Sequence, residues 1–501
     1  MKIKTGNKTV LKNILFVVIL FFSESLFAQS GFQQFLNRVN SISDSTEKAA
    51  VVDSFMTVAR QQGIPFIEDN TANFIYLGTP NSVAVTGDFN GWNPNVNLFN
   101  KLNQTNFWYY SQQFESNARV DYKLVLNGNN WILDPENPHT ILGGFGPNSE
   151  LAMPEYVQPW EIEYNPNIEH GSIVTTSIVS SHVNETFQLK IYLPPGYDEN
   201  SQEVYPTAYF QDGFEYITLG SAVNVIDNLL DSNKIKPAIA VFVKPNNRNE
   251  EYAGGKRNQY RLFFVEELVP LIDSLYKTIQ APTGRLVFGD SFGGNISALI
   301  SYHHPGVFGL CGLHSGAFWP NDYETYNLIV NGAKENIKWN SVWGSYEGDL
   351  AVNMHNFQDS LQAKGYEFQQ LELPEGHSWG LWRANIDRFL EYFFPPDISD
   401  VKETGSLLPE DFKLYQNFPN PFNPETKIRY EIPGQARINN AFLTLKVYDV
   451  LGNDIATLVD GQKSAGMFEV KFNAAGLASG IYYYRLIAGN FAATKKMVVL
   501  K

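Results

Sequence analysis

Gly289-Asp290-Ser291-Phe292-Gly293-Gly294 constrains this chain more than any other stretch of its sequence. The hexapeptide satisfies G-x-S-x-G, follows the apolar run Arg285 to Phe288 and precedes a helical pattern, so it reads as a strand that turns sharply into a helix. Gly289 and Gly293, two residues either side of the serine, let the chain turn where a Cβ would clash, and the turn pushes the Ser291 hydroxyl out. It emerges at the carboxyl end of the sheet, where open α/β sheets bind ligands. The plainer alternative is an ordinary glycine-rich turn between strand and helix.

The surrounding pattern agrees with the elbow. Between about Phe187 and Phe394, short apolar runs alternate with helical spacing, which predicts a mainly parallel sheet covered on both faces. The predicted strands are Leu189 to Leu193, Thr207 to Phe210, Ala238 to Val243, Arg285 to Phe288, Gly309 to Leu313, Ser341 to Trp343 and Phe368 to Leu373. Helices are expected over Tyr260 to Ile279 and Asn295 to Tyr302.

A serine hydroxyl is a weak nucleophile until a base takes its proton, so a histidine is needed downstream. Of the eight histidines, His377 fits best, because Gly376-His377-Ser378 follows the last predicted strand in a loop. His303 and His304 read as partners of a helix C-terminus, and His139, His170, His182 and His355 as surface residues; His314 could line a pocket. An acid that orients the base is expected between nucleophile and histidine, and the segment after Ser341 to Trp343 offers Glu347 first and Asp349 in reserve. An oxyanion hole needs two backbone N–H groups. Phe292, next after the serine, supplies one, and Phe214 or Gly213 in the Asp212-Gly213-Phe214 turn is expected to supply the other.

Composition excludes some classes. The formal net charge of −15, with no Lys/Arg block beyond the extreme N-terminus, argues against nucleic acid as a partner. Cys311 is the only cysteine, so an intramolecular disulfide and any CxxC metal or redox site are out, and its apolar setting reads as a buried strand. No metal and no cofactor is expected.

Along the chain, Lys2, Lys4, Lys8 and Lys12 precede the apolar run Ile14 to Phe22 and then Leu26-Phe27-Ala28, the layout of a secretory signal over residues 1–28. The run is short of the roughly 20 apolar residues a spanning helix needs, so no transmembrane segment is expected in the mature chain. Helical spacing over 29–68 predicts a small lead-in. Residues 69–165 switch to short alternating runs typical of a β-sandwich, residues 166–396 form the α/β domain, 397–413 reads as a polar linker, and 414–501 as a separate all-β module.

Taken together, the residues of the α/β region resemble the enterochelin-esterase-like esterases, the group that includes the carbohydrate esterase family 1 enzymes, feruloyl and acetylxylan esterases. The resemblance runs from about Gly171 to Phe394. It is carried by the elbow hexapeptide, Tyr205 to Gly213, Arg248 with Glu251-Tyr252, Glu266 to Pro270, and Gly376 to Trp379 with Trp382-Arg383. It implies an α/β-hydrolase flanked by two β-sandwiches, with Arg248 and Trp379 near substrate. Ser378 and Glu347 depart from the family pattern, which often has Asp at both places; the second leaves the acid open between Glu347 and Asp349.

Gly87 to Pro94, with Tyr122-Lys123 and Asp134 to Pro138, looks like an early-set, glycogen-binding-like module, in which Trp92 or Trp131 could stack on a sugar ring; a structural role lining the cleft is the favoured expectation. Leu414 to Pro424, Val447 to Gly452 and Ser479 to Leu486 resemble the type A C-terminal sorting domain of type IX secretion, which implies export from a Gram-negative cell and a partner in that machinery. The expected activity is that of a secreted serine esterase acting on acylated carbohydrate or another small ester. A siderophore trilactone esterase and a non-catalytic glycan-binding surface protein are the rivals.

Overall fold

A computed structural model describes residues 31–396, 412–417, 419–433, 441–450, 452–463, 466–488 and 491–500. The expected secretory signal and nearly all of the expected linker lie outside these residues. The chain divides into two compact units, the first holding residues 31–396 and the second 412–500. No described helix is long and apolar enough to cross a membrane.

An eight-stranded sheet is the centre of the first unit. Its strands are β1 (Ser172–Ser180), β2 (Glu185–Leu193), β3 (Thr207–Phe210), β4 (Ile239–Lys244), β5 (Arg285–Asp290), β6 (Leu310–His314), β7 (Lys338–Gly344) and β8 (Glu367–Leu373), in the spatial order β1-β2-β4-β3-β5-β6-β7-β8. The β1/β2 and β2/β4 pairings are antiparallel, and those from β4 through β3, β5, β6 and β7 to β8 are parallel. β3, β5 and β6 are buried along their whole length, as strands covered on both faces must be. Alternate residues serve opposite faces: Phe210, Phe242 and Phe288 join one core cluster, Tyr209, Val241 and Val287 another. The Phe210 ring lies 4.4 Å from that of Phe242 and 4.2 Å from that of Phe288, and each such buried ring contributes about 1.5–3 kcal/mol.

Two differences from expectation have identifiable physical causes. The helix predicted over Tyr260 to Ile279 is Arg257–Leu262, a π turn Phe263–Leu268 and Val269–Leu275. Pro270 lacks an N–H and crowds the carbonyl one turn back, and the wider π turn immediately before it relieves that crowding. The helix stops early because residues 277–279 extend beside Tyr205, whose N–H and C=O both bond to them. β1 was not foreseen, since it is a largely exposed edge strand in which Ser and Thr break up the Ile and Val residues.

Four helices matter for the site: α1 (Gly213–Thr218) after β3, α2 (Phe292–His303) after β5, α3 (Asp349–Ala363) after β7 and α4 (Trp379–Arg383) after β8.

Before the sheet come helices Gly31–Ser41 and Ser45–Gln62, the second capped by the Asp44 carboxylate on the Glu47 amide at 2.8 Å. The helical lead-in ends at Gln62 with Gly63 as its C-cap, just before Pro65, where the helical spacing breaks off, and Phe66–Glu68 is a strand paired with Thr71 to Asn73. Two antiparallel sheets follow, with strand order 66–68, 71–77, 107–113, 100–101 in one and 83–87, 119–126, 146–152, 140–143 in the other. Phe74, Val85, Val120, Tyr122 and Leu124 fill the core they share.

The second unit has a three-stranded sheet (413–414, 425–432, 466–473) and a four-stranded one (454–463, 441–448, 480–488, 491–499). Ile428, Tyr430, Leu445, Val447, Tyr484 and Leu486 are buried in a core common to both. The Tyr484 hydroxyl accepts from the Asn417 amide at 2.7 Å and donates to the Tyr415 carbonyl at 2.8 Å, which pins the start of the module to its interior.

Candidate active site

β5 ends at Asp290 and α2 begins at Phe292, which leaves Ser291 alone in the turn at φ 54°, ψ −117°. That conformation is strained for a residue with a Cβ and persists only where surroundings hold it. They do: the Ser291 N–H donates to the His314 carbonyl at 2.8 Å, and its C=O accepts from Ala317 at 3.0 Å. A Cβ on Gly289 would lie 2.7 Å from the Gln211 Cβ and 2.8 Å from the Gly293 carbonyl carbon, and one on Gly293 would lie 3.1 Å from the Asp212 carboxylate. Close approach therefore requires glycine at 289 and leaves a Cβ at 293 only a tight fit against the β3 turn.

The turn after β3 sits beside this elbow because β3 and β5 are neighbours, with Gln211 N–H on the Phe288 carbonyl at 2.9 Å. Asp212 adopts φ 52° and α1 begins at Gly213, where a Cβ would fall 2.4 Å from the Val243 nitrogen. Gly213, Phe214 and Phe292 all lie in the first turn of a helix, where amides lack an intrahelical acceptor.

Arg248 ties the two turns together. Its Nε donates to both Asp212 carboxylate oxygens at 2.9 and 2.8 Å, and an Nη donates to the Asp290 carbonyl at 3.1 Å. Burial raises the Asp212 and Asp290 carboxyls, and the guanidinium between them opposes that rise. The structure thus gives Arg248 a bracing place next to the elbow, with only part of its side chain reaching solvent.

Glu347 and His377 meet across the ends of β7 and β8. The His377 Nδ1 lies 3.5 Å from Glu347 Oε2; the carboxylate is 1% exposed and the imidazole 37%. The other oxygen, Oε1, accepts from the Ser315 hydroxyl at 2.6 Å and from the Gly344 N–H at 3.1 Å. Ser315 in turn accepts from Trp382 Nε1 at 3.0 Å, and the Trp382 ring stands edge to face with the imidazole at 5.0 Å. Burial lowers the His377 pKa, but the adjacent Glu347 carboxylate, helped by Asp290 and Asp88, outweighs it and leaves the pKa raised.

The imidazole opens on a cavity of about 380 Å³ lined by Trp319, Tyr323, Glu347, Asp349, Leu350, Asn353 and His377. Asp349, the reserve acid, is exposed on the cavity wall at the start of α3. Trp379 lies in the core, edge to face with Tyr216 at 5.1 Å and with Trp382 at 5.2 Å, rather than on the cavity wall. Trp92 is half-buried, its indole N–H donating to Asp88 Oδ1 at 3.1 Å. His314 is fully buried with Nδ1 2.8 Å from the Tyr216 hydroxyl, and burial drives its pKa down to about 3. Cys311 is buried, which pushes its thiol up to about 12. Among the described residues no group of His, Cys, Asp and Glu is placed to hold a metal ion.

Several residues of the site escaped sequence reasoning. Ser315 at φ 48° and the left-handed run Asn321, Asp322, Tyr323 leave no local signature, since none is glycine. Trp319, edge to face with Phe292 at 5.5 Å, lines the cavity together with Tyr323 of that run.

Two family models match this chain: one described as "Putative esterase" over residues 180–393, the other as a secretion system C-terminal sorting domain over residues 416–500. An endo-1,4-beta-xylanase/feruloyl esterase of Xylanibacter ruminicola is 26% identical over 292 residues, covering 54% of this chain; the chain spans only 38% of that protein's length. The uncharacterized protein YjcH of Bacillus subtilis is 30% identical over 238 residues, 44% of this chain and 95% of its own. Among solved structures, the enterobactin esterase of Shigella flexneri shares the fold with a TM-score of 0.53 and 19% identity, over 64% of this chain and 93% of that one. The elbow, the two loops that meet beyond β7 and β8, and strands β2 to β8 that align them fall within the 180–393 match, and on that footing the chain belongs to the esterase family this model describes.

Proposed function

We propose that the protein is a secreted serine carboxylic-ester hydrolase in which Ser291 is the nucleophile, His377 the general base and Glu347 the acid that orients it. The observation that carries this reading is the Glu347 to His377 contact at 3.5 Å beyond β7 and β8, in the same sheet whose β5 leads into the strained Ser291 elbow. His377 takes the Ser291 proton as Oγ attacks the ester carbonyl, then delivers it to the departing alkoxide, leaving an acyl-serine. Water, deprotonated by the same imidazole, attacks that acyl group, and the serine oxygen leaves with the proton as the acid is released. The amides of Phe292 and of Gly213 or Phe214 stabilise the oxyanion in each half-reaction.

The substrate class is an acyl ester, feruloyl or acetyl, on plant polysaccharide or its fragments. Two things support it: the feruloyl esterase name carried by the Xylanibacter relative, and a sorting domain that directs the chain out of the cell. In this reading residues 69–165 are an early-set module, 166–396 the α/β-hydrolase and 414–501 the part that engages the type IX machinery. Ser291→Ala and His377→Ala are each expected to leave less than about a hundredth of kcat on methyl ferulate or acetylated xylan with the fold intact. Higher residual rates would refute the assignment, and preferential cleavage of a catecholate trilactone would replace the substrate.

A further inference from the structure

The N-terminal β module grips both loops of the acid–base pair, and its grip centres on one cation. Arg119, on the strand Arg119–Leu126, has a 0% exposed side chain bound on one side by its own module: Nη2 lies 2.6 Å from Asp121 Oδ1 and 2.7 Å from Glu150 Oε2. On the other side it brackets His377. The Arg119 N–H donates to the Pro374 carbonyl at 3.1 Å, Nη1 donates to the Ser378 hydroxyl at 3.1 Å, and Nη1 lies 3.9 Å from Glu375 Oε2.

We propose that Arg119 is a positioning residue for His377, and that the N-terminal β module acts through it as a working part of the active site; this rests on His377 being the general base. His377 sits on a loop with an exposed ring, and it is offset from the end of β8 by Pro374, Glu375 and Gly376. Contacts at residues 374, 375 and 378 surround that offset. The packing leaves the loop no slack: a Cβ on Gly380 would fall 2.0 Å from the Arg119 Cζ, and one on Gly376 would fall 2.1 Å from the Asp88 carboxyl carbon. The acid's loop is held from the same module, with the Tyr346 ring edge to face with Phe114 at 6.4 Å and its hydroxyl donating to Glu115.

A junction that only needed stability would be filled by apolar residues at lower desolvation cost. A planar guanidinium with five donors instead fixes several segments in one mutual orientation, which a base that must align with Ser291 requires.

The test uses the full chain with Ser378→Ala, which cuts one link to Arg119 and leaves the charge cluster intact, and Arg119→Lys, which keeps the charge but loses the fork. We expect kcat on a small ester to fall roughly tenfold or more in each, KM to stay within about twofold, and fluorophosphonate labelling of Ser291 to slow in parallel. The double variant should be no slower than Arg119→Lys alone, because both changes cut the same link. If Arg119→Lys does not fold, Ser378→Ala decides. Wild-type kcat in Ser378→Ala, with or without a lower Tm, would overturn the positioning role while a dead His377→Ala left the base assignment standing. An active His377→Ala would instead remove the base on which the proposal depends.

Discussion

Glu347 sets one carboxylate oxygen 3.5 Å from His377 Nδ1, while the other accepts from the Ser315 hydroxyl at 2.6 Å as well as from the Gly344 N–H. Those two bonds set the rotamer that makes the His377 contact possible. Asp349 lies two residues further on, exposed at the start of α3, where its shorter side chain faces the open cavity. Glu347→Gln is therefore expected to lower kcat by roughly two to four orders of magnitude with little change in KM, and Asp349→Asn to do much less. Steady-state kinetics on one chromogenic ester would check the ranking, and the reverse order would move the role to Asp349.

The pH profile should carry the mark of the same pair. A general base works as the neutral imidazole, so kcat/KM rises with pH through the His377 pKa, which Glu347, Asp290 and Asp88 hold above the ordinary histidine value. The acid limb of the wild-type profile is expected to have its midpoint above about 6.5. Glu347→Gln removes the largest raising contribution, so the limb should move to lower pH in whatever activity remains. A limb that stays in place would show that another group controls it.

Glu375 makes a separate prediction about stability. Burial, reinforced by Asp88, Asp121 and Glu150, raises its carboxyl to about 8 in spite of Arg119. Its folded pKa therefore exceeds the unfolded value, so its contribution is fully present below the unfolded pKa near 4.5 and is lost as pH rises towards 8. Glu375→Gln, which cannot ionise, should match wild type in Tm near pH 4.5 and exceed it at pH 8 to 9. Equal Tm values at both ends would show that the carboxyl is charged at neutral pH.

Removal of residues 414–501 is expected to leave kcat and KM for a small ester unchanged while the protein stays within the cell envelope. All residues of the site belong to the first unit, and the sorting domain has its own core. Fractionation with an activity assay would check both halves, and loss of active enzyme on truncation would make the second unit part of the catalytic fold.

Legibility in the sequence followed the range of the interactions. The elbow was readable because G-x-S-x-G between an apolar run and a helical pattern is a short contiguous motif, although the atoms that crowd Gly289 and Gly293 come mainly from Gln211 and Asp212, and β3 to β6 because strands buried on both faces are mainly apolar. Glu347 and His377 stand out by their places just past strand ends, and the structure brings the two within 3.5 Å of each other. β1 was missed because an exposed edge strand needs no apolar pattern, and the early stop of the helix before Tyr276 because pairing beside Tyr205 overrides local preference. Arg119, Asp88 and Ser315 were invisible for a deeper reason. Arg119 is 259 residues from the serine it bonds, and an arginine written between Ala118 and Val120 looks like any charge on a strand. Local sterics and hydrophobic period determined the sheet, the elbow and the places of the Glu347 and His377 loops. Only long-range packing decided that the N-terminal module would close over them, because burying Arg119 needs carboxylates from several segments at once, and no stretch of sequence holds those together.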